Sequence, residues 1–282
     1  MVDFLQLAIN GILLGGFYAL LGVGMTMIFG IVGLTNLAHG DFVILGAYLS
    51  TLLASLAGVE PILTLIVTIP LMFVLGMALQ RGLINHVMDK GSEPALLVTF
   101  GLSIILQDAA LLLFSADARH IPAGYSLETL HLGGIDISLL NVILFAIGAV
   151  CMLALSLFLS KTYTGRAIRA VSDDPEAARL SGINVRRIYG IAMGFAMATA
   201  AVAGLCVGLK WTFYPSSGGN YLLISFIVVV IGGMGSVSGT FLAGLAFGFA
   251  QVIGGANNGL LVSYIVLLLM LTFRPNGLIT RK

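Results

Sequence analysis

From Trp211 to Phe273 the chain runs for sixty-three residues without one charged side chain or histidine. Such a run cannot form the solvated surface of a soluble domain, and it does not stand alone. Ile137–Ser160, Ile188–Leu209 and Pro61–Gln80 are likewise uncharged. A membrane-spanning helix needs about 20 apolar residues, so several spans fit. Across 282 residues, 59% are apolar and 9% charged, against roughly 25% charged in soluble proteins. The expected fold is all-α: a polytopic transmembrane helical bundle of about 8–10 membrane segments with glycine-broken helices. It is expected to form a single transmembrane domain over residues 1–282. The lipid bilayer is its first partner, and no nucleic-acid partner is expected.

The placement of charge sets sidedness. Basic residues gather at Arg81 and Lys90, in the island Lys161–Arg187, and in the tail Arg274, Arg281 and Lys282; only Arg119 and Lys210 lie elsewhere. The island holds six of the thirteen basic side chains, whereas Ala116–Asp136 carries three acids against Arg119. The positive-inside rule then makes the three basic regions cytoplasmic and 116–136 external. Cys151 and Cys206 lie within apolar runs and read as small buried hydrophobes. Met1-Val-Asp-Phe has no basic region before its apolar run, so a cleaved signal peptide is not expected.

The spans expected are about 5–30, 37–57, 61–80, 94–115, 139–160 and 188–209, followed by an ambiguous region. Pro215–Asn220, Gly232–Gly239 and Gly254–Gly259 divide 211–273 into three pieces, each shorter than a full span. Sidedness requires an even number of crossings over 188–273. Either all three pieces cross, or 221–253 forms a re-entrant pair. A second break, Gly30–Gly40, resembles the one around Gly233 and Gly235 and suggests a faint internal repeat. Interrupted hydrophobic segments in matching halves point to a transport pathway, although glycines also serve close helix packing.

Within the island, Asp174 suits an N-cap, Pro175 the first helical position and Glu176 the positive end of the helix dipole. Gly182 suits a left-handed residue just past the helix end. About seven helical residues result, roughly 10 Å long, too short for stability without a partner. Ala177 and Ala178 keep its surface small. The expected partner is a protein outside the bilayer, docked on cytoplasmic loop 161–187.

The spacing Glu176-Ala177-Ala178-x-x-x-Gly182 matches the EAA loop of ABC importer permeases. Four more stretches extend the likeness: Gly33–Tyr48, Thr99–Gln107, Gly232–Thr240 and Arg274–Leu278; the island motif itself begins at Thr164. Together they resemble, in order, the shorter permease of branched-chain amino-acid ABC importers. The resemblance implies a transport subunit of the bacterial inner membrane, not itself an enzyme. It also implies a second, homologous permease as heterodimer partner, two ABC ATPase subunits and a periplasmic substrate-binding protein. No cofactor is expected on this chain: it has no Gly-x-x-x-x-Gly-Lys-Ser/Thr loop, and ATP would bind the partner subunits. The ATPase-coupling residues implied are Asp174, Glu176, Ala177, Ala178, Arg179 and Gly182. The solute expected is a branched-chain or related amino acid; urea, short amides and aromatic acids stay open.

Polar groups inside the spans supply pathway or gate candidates: Asn36, His39, Asp41, Thr99, Gly101, Ser103, Gly233 and Gly235. Ionisable groups at membrane depth are costly and usually face a cavity or each other. The break at Gly30–Gly40 falls near the cytoplasmic side by parity, so Asp41 is expected to be solvated and to cap the next helix. Thr99 and Ser103, four apart, share a helix face with Gly101 nearby, placed to bond a solute or a helix carbonyl. The four histidines have no metal-ligand spacing, and no catalytic residue is expected. Two rival classes exist. An ion-coupled secondary transporter accounts for broken helices but not for a capped cytoplasmic helix. An intramembrane hydrolase lacks its motifs: Ala38 replaces the first glycine of Gly-x-Gly-Asp, and Val237 occupies the centre of Gly235–Gly239.

Overall fold

A computed structural model describes residues 2–88, 90–132, 134–274 and 277–279. The chain is helical except for one short hairpin. Helix α1 (Val2–Val32) is followed by the non-helical segment 33–38 and by α2 (His39–Ala57). After a 3-10 turn at Pro61–Thr64, α3 (Leu65–Leu79) continues through a π-turn, Gln80–Ile84, into α4 (Asn85–Met88). The expected span 61–80 is therefore longer by two turns and carries Arg81 and His86 on its end. Next come α5 (Ser92–Phe114), the antiparallel hairpin of β1 (Thr129–Leu132) and β2 (Ile135–Ser138), and α6 (Leu139–Lys161).

The island folds as α7 (Tyr163–Asp173) and α8 (Pro175–Leu180), then α9 (Val185–Lys210) crosses back. α10 (Gly218–Gly232) follows a 3-10 turn at Pro215–Ser217. The last helical stretch breaks at Gly255 (φ 68°, ψ −173°) into α11 (Val237–Gly255) and α12 (Asn258–Phe273). Eight helical stretches among the described residues are long and apolar enough to cross a bilayer, and α12 is a shorter apolar helix.

α9 and α1 form the centre, with most of α9 buried. Their packing rests on small residues. Gly15 of α1 lies against Gly248 of α11, and Gly244 against Ala19, so the two backbones approach closely along an antiparallel seam. Lipid tails are as apolar as leucine, so burying leucine between helices gains little; close backbone contact and van der Waals packing drive association instead. Most of the large apolar side chains of α5 and α12, such as Leu112, Leu97 and Leu268, stay exposed.

The ambiguous region resolves into three successive antiparallel helices. α11 runs up the side of α1, and α12 returns: the Leu278 N–H bonds Ile231 C=O at the end of α10, 2.8 Å away. Two of the three, Pro215–Gly232 and Val237–Gly255, are long and apolar enough to span a bilayer, and Asn258–Phe273 is shorter. The tail residues Arg281 and Lys282, and Pro275-Asn276 of the family-like motif, lie outside the described residues.

Candidate functional site

Two polar assemblies lie on opposite levels of the bundle. The first is the island. Asp174 Oδ1 accepts from the N–H groups of Glu176 (2.9 Å) and Ala177 (3.0 Å), satisfying two donors that every helix start leaves orphaned. At the other end, Gly182 has φ +83°; its N–H bonds Arg179 C=O, and the Ile183 N–H bonds Ala178 C=O, each at 3.0 Å. That pair of bonds is a Schellman closure. The helix has six residues, one fewer than expected.

Glu176, Ala177 and Arg179 are exposed, and Leu180 is 90% exposed. Ala178 corrects the expectation of a uniformly small outer surface: it is 4% exposed and turned into the protein. Ala178 is the one residue of α8 that faces the bundle, with Glu176, Ala177, Arg179 and Leu180 exposed around it. Between α8, α4 and the start of α9 lies a cavity of about 690 Å³ lined by Asn85, Met88, Glu176, Arg179 and Tyr189.

α7 ties this helix to the bundle. It is amphipathic, burying Gly165, Ala167, Ile168 and Val171, and Thr162 Oγ1 caps it by accepting from Gly165 N–H at 2.9 Å. At its far end the Ser172 hydroxyl donates to Gly30 C=O, near the end of α1. Gly30 in turn packs directly on Gly235. Gly233 (φ +94°) and Gly235 (φ +85°) occupy the tight turn between α10 and α11, on the same side as α7. Gly235 therefore sits beside the island, with Gly233 buried behind it, whereas the segment 33–38 runs back into the protein. The two breaks differ in form, although Gly30 and Gly235 bring them into contact.

The second assembly surrounds the start of α2. His39 Nε2 lies 3.3 Å from Leu21 C=O, a full eleven residues before the end of α1, so α2 starts deep within the bundle. Asp41 is 5% exposed. Its Oδ2 accepts from Ser103 Oγ at 2.5 Å and its Oδ1 from Gln107 Nε2 at 3.0 Å, both on α5. This corrects the solvated interfacial cap: Asp41 lies in the first turn of α2, not before it, and the cap position is Ala38. The segment 33–38 carries the chain inward before helix resumes, with Gly33 at φ +72° and a turn closed by the His39 N–H on Asn36 C=O.

Asn36 Oδ1 accepts from Ala38 N–H at 3.1 Å, and Thr99 Oγ1 accepts from Leu37 N–H at 3.3 Å while donating to Leu96 C=O. Thus Asn36 and Thr99 hold the segment before α2, and Asp41 and Ser103 join α2 to α5, while the His39 ring turns instead to α1. Asn36 Nδ2 and His39 Nδ1 are buried without hydrogen-bond partners. Gly101 does not join them; a Cβ there would meet open space. The sequence reading missed Gln107 and Gly218. Gln107 continues the four-residue spacing of Thr99 and Ser103 and was legible on that ground. Gly218, whose Cα abuts the Asp41 carboxylate, left no local signal.

Residues 7–273 match the family model described as branched-chain amino acid transport system, permease component. The chain is 31% identical to the high-affinity branched-chain amino acid transport system permease protein BraD of Pseudomonas aeruginosa, over 99% of this chain and 96% of that one. It is 30% identical to the corresponding LivH protein of Escherichia coli K12, with the same coverage. Among solved structures, PsaBC from Streptococcus pneumoniae in complex with Fab aligns at a TM-score of 0.52 over 96% of this chain and 91% of that one. Its 13% identity makes this a likeness of fold alone.

Proposed function

This chain belongs to the branched-chain amino acid transport permease family and is the multi-pass permease component of an ABC importer of that class, and we propose that α8 is its ATPase-coupling element. The observation that carries this reading is the exposed, doubly capped α8 anchored through Ser172 to Gly30. A helix of six residues has no stability of its own; its caps and its buried Ala178 hold it in shape with Glu176 and Arg179 displayed. Two ATPase subunits would dock there, the adjoining cavity receiving part of their surface. Differential contact with open and closed ATPase pairs would shift the permease between states.

The assembly would include a second homologous permease and a periplasmic substrate-binding protein, as heterodimer and as solute donor. ATP would bind the ATPase subunits. The residues around the start of α2, Asn36, His39, Asp41, Thr99 and Ser103, would form the gate, because unwound backbone at membrane depth persists only where protein or a wet cavity satisfies it. The solute would be a branched-chain amino acid. The test is Glu176→Lys in the reconstituted assembly. Normal membrane insertion with ATP hydrolysis no longer linked to leucine uptake is expected. Unchanged, coupled uptake by that variant would overturn the assignment of α8.

A further inference from the structure

Two basic side chains stand apart from the cytoplasmic clusters. Arg119 is accounted for: its guanidinium donates to Phe114 C=O at 2.9 Å and lies over the rings of Tyr48 and Phe114. Lys210 is not. At the last position of α9, its Nζ donates to Asn141 Oδ1 at the start of α6 and lies 5.1 Å from the centre of the Trp211 ring. Among the described residues it forms no ion pair with a carboxylate. An ammonium carries three donors, and a charge partly withdrawn from water is costly unless paired. By charge topology this end of α9 is external, the side from which an importer receives solute.

Lys210 lines a cavity of about 470 Å³, and a second cavity of about 280 Å³ adjoins it. Tyr18, Trp211, Gln251 and Leu260 line both. Gln251 Oε1 is buried without a partner. The size suits a small molecule, for which sites are about 300–1,000 Å³. Lys210 supplies a cation to the wall, and Trp211, Tyr18 and Leu260 supply apolar surface beside it.

We propose that these joined cavities are an outward-facing site for a small solute bearing a carboxylate and an apolar side chain. Lys210 pairs the carboxylate, and Trp211 with Tyr18 covers the side chain. The proposal rests on the importer reading and adds a recognition step on the permease itself.

Trp211 is the chain's one tryptophan, so its fluorescence reports this site directly. The full-length chain, held in an amphipathic polymer free of tryptophan, is titrated with L-leucine, isovalerate and L-leucinamide. Saturable changes with leucine and isovalerate are expected, with leucinamide at least about tenfold weaker, the size of one lost charge-assisted contact. Lys210→Met should weaken leucine by about tenfold, and Lys210→Arg should retain most of the response. Equal responses to leucine and leucinamide, or an unaltered Lys210→Met titration, would overturn the site. So would a Trp211 change driven by phosphatidylglycerol and indifferent to leucine, which would assign Lys210 to lipid headgroups. Leucine uptake by the complete assembly is measured in parallel. Uptake without a Trp211 response retires this site and leaves the importer; a Trp211 response without uptake retires the leucine importer and leaves the site.

Discussion

Ser103 Oγ of α5 donates to the carboxylate of Asp41 in the first turn of α2 at 2.5 Å, joining two helices whose partners lie sixty-two residues apart in sequence. The same carboxylate abuts Gly218 at the start of α10. One buried acid thus touches three elements, and movement of any of them must be accommodated by the other two. Removing Ser103 leaves Asp41 with Gln107 as its remaining side-chain donor. Ser103→Ala should destabilise the protein by about 1–3 kcal/mol, the cost of stripping a donor from a buried charged acceptor. Thermal unfolding in detergent checks this; a melting temperature equal to that of the parent would refute it.

Glycine substitutions should divide sharply by position. A Cβ at Gly204 would collide with the Val43 carbonyl oxygen and Ala47 nitrogen of α2, whereas a Cβ at Gly101 meets nothing. Gly204→Ala should cost about 1–3 kcal/mol through overpacking. Gly101→Ala should be neutral or gain up to about 1 kcal/mol from helix propensity. Paired melting curves of the two variants supply the comparison.

The caps of α8 can be removed one at a time. Asp174→Ala loses both N-terminal bonds and should destabilise α8 by about 1 kcal/mol. Gly182→Ala places a side chain at φ +83° and should cost about 1–2 kcal/mol. Both changes are local, so membrane insertion and global melting should persist while ATPase-linked uptake falls. Hydrogen exchange of the amides of residues 176–183 should rise in each variant, which separates a frayed α8 from a misfolded chain.

The contact of Ser172 with Gly30 gives a way to disconnect α8 without altering it. Ser172→Ala leaves the docking surface intact, so ATPase subunits should still copurify. Solute moved per ATP hydrolysed should fall, because α7 has lost its hydrogen bond to α1. Copurification failing in step with uptake would place the effect on docking instead.

The level at which each feature was encoded explains what was legible. Apolar runs, basic islands and caps are local: a span needs about twenty neighbouring residues, and a cap needs four or five. Hence the helical class and both ends of α8 could be read directly from residues such as Asp174 and Gly182. Which face of a span packs inward could not. In lipid, both faces are apolar, and the polar–apolar period that marks a buried stripe in a soluble helix is missing. Only α7, with water on one side, kept such a stripe.

By itself the sequence determined that the chain crosses the membrane as helices and that a short capped helix projects from the middle. Tertiary structure decided the rest. It turned Ala178 inward, set Gly233 and Gly235 in a turn against Gly30, and carried Asp41 from a presumed watery interface to a buried bond with Ser103. The reason is physical: each of those outcomes depends on contact between elements distant in sequence. Among helices of nearly uniform hydrophobicity, those contacts are chosen by shape and by a few hydrogen bonds, neither of which is written in any local stretch.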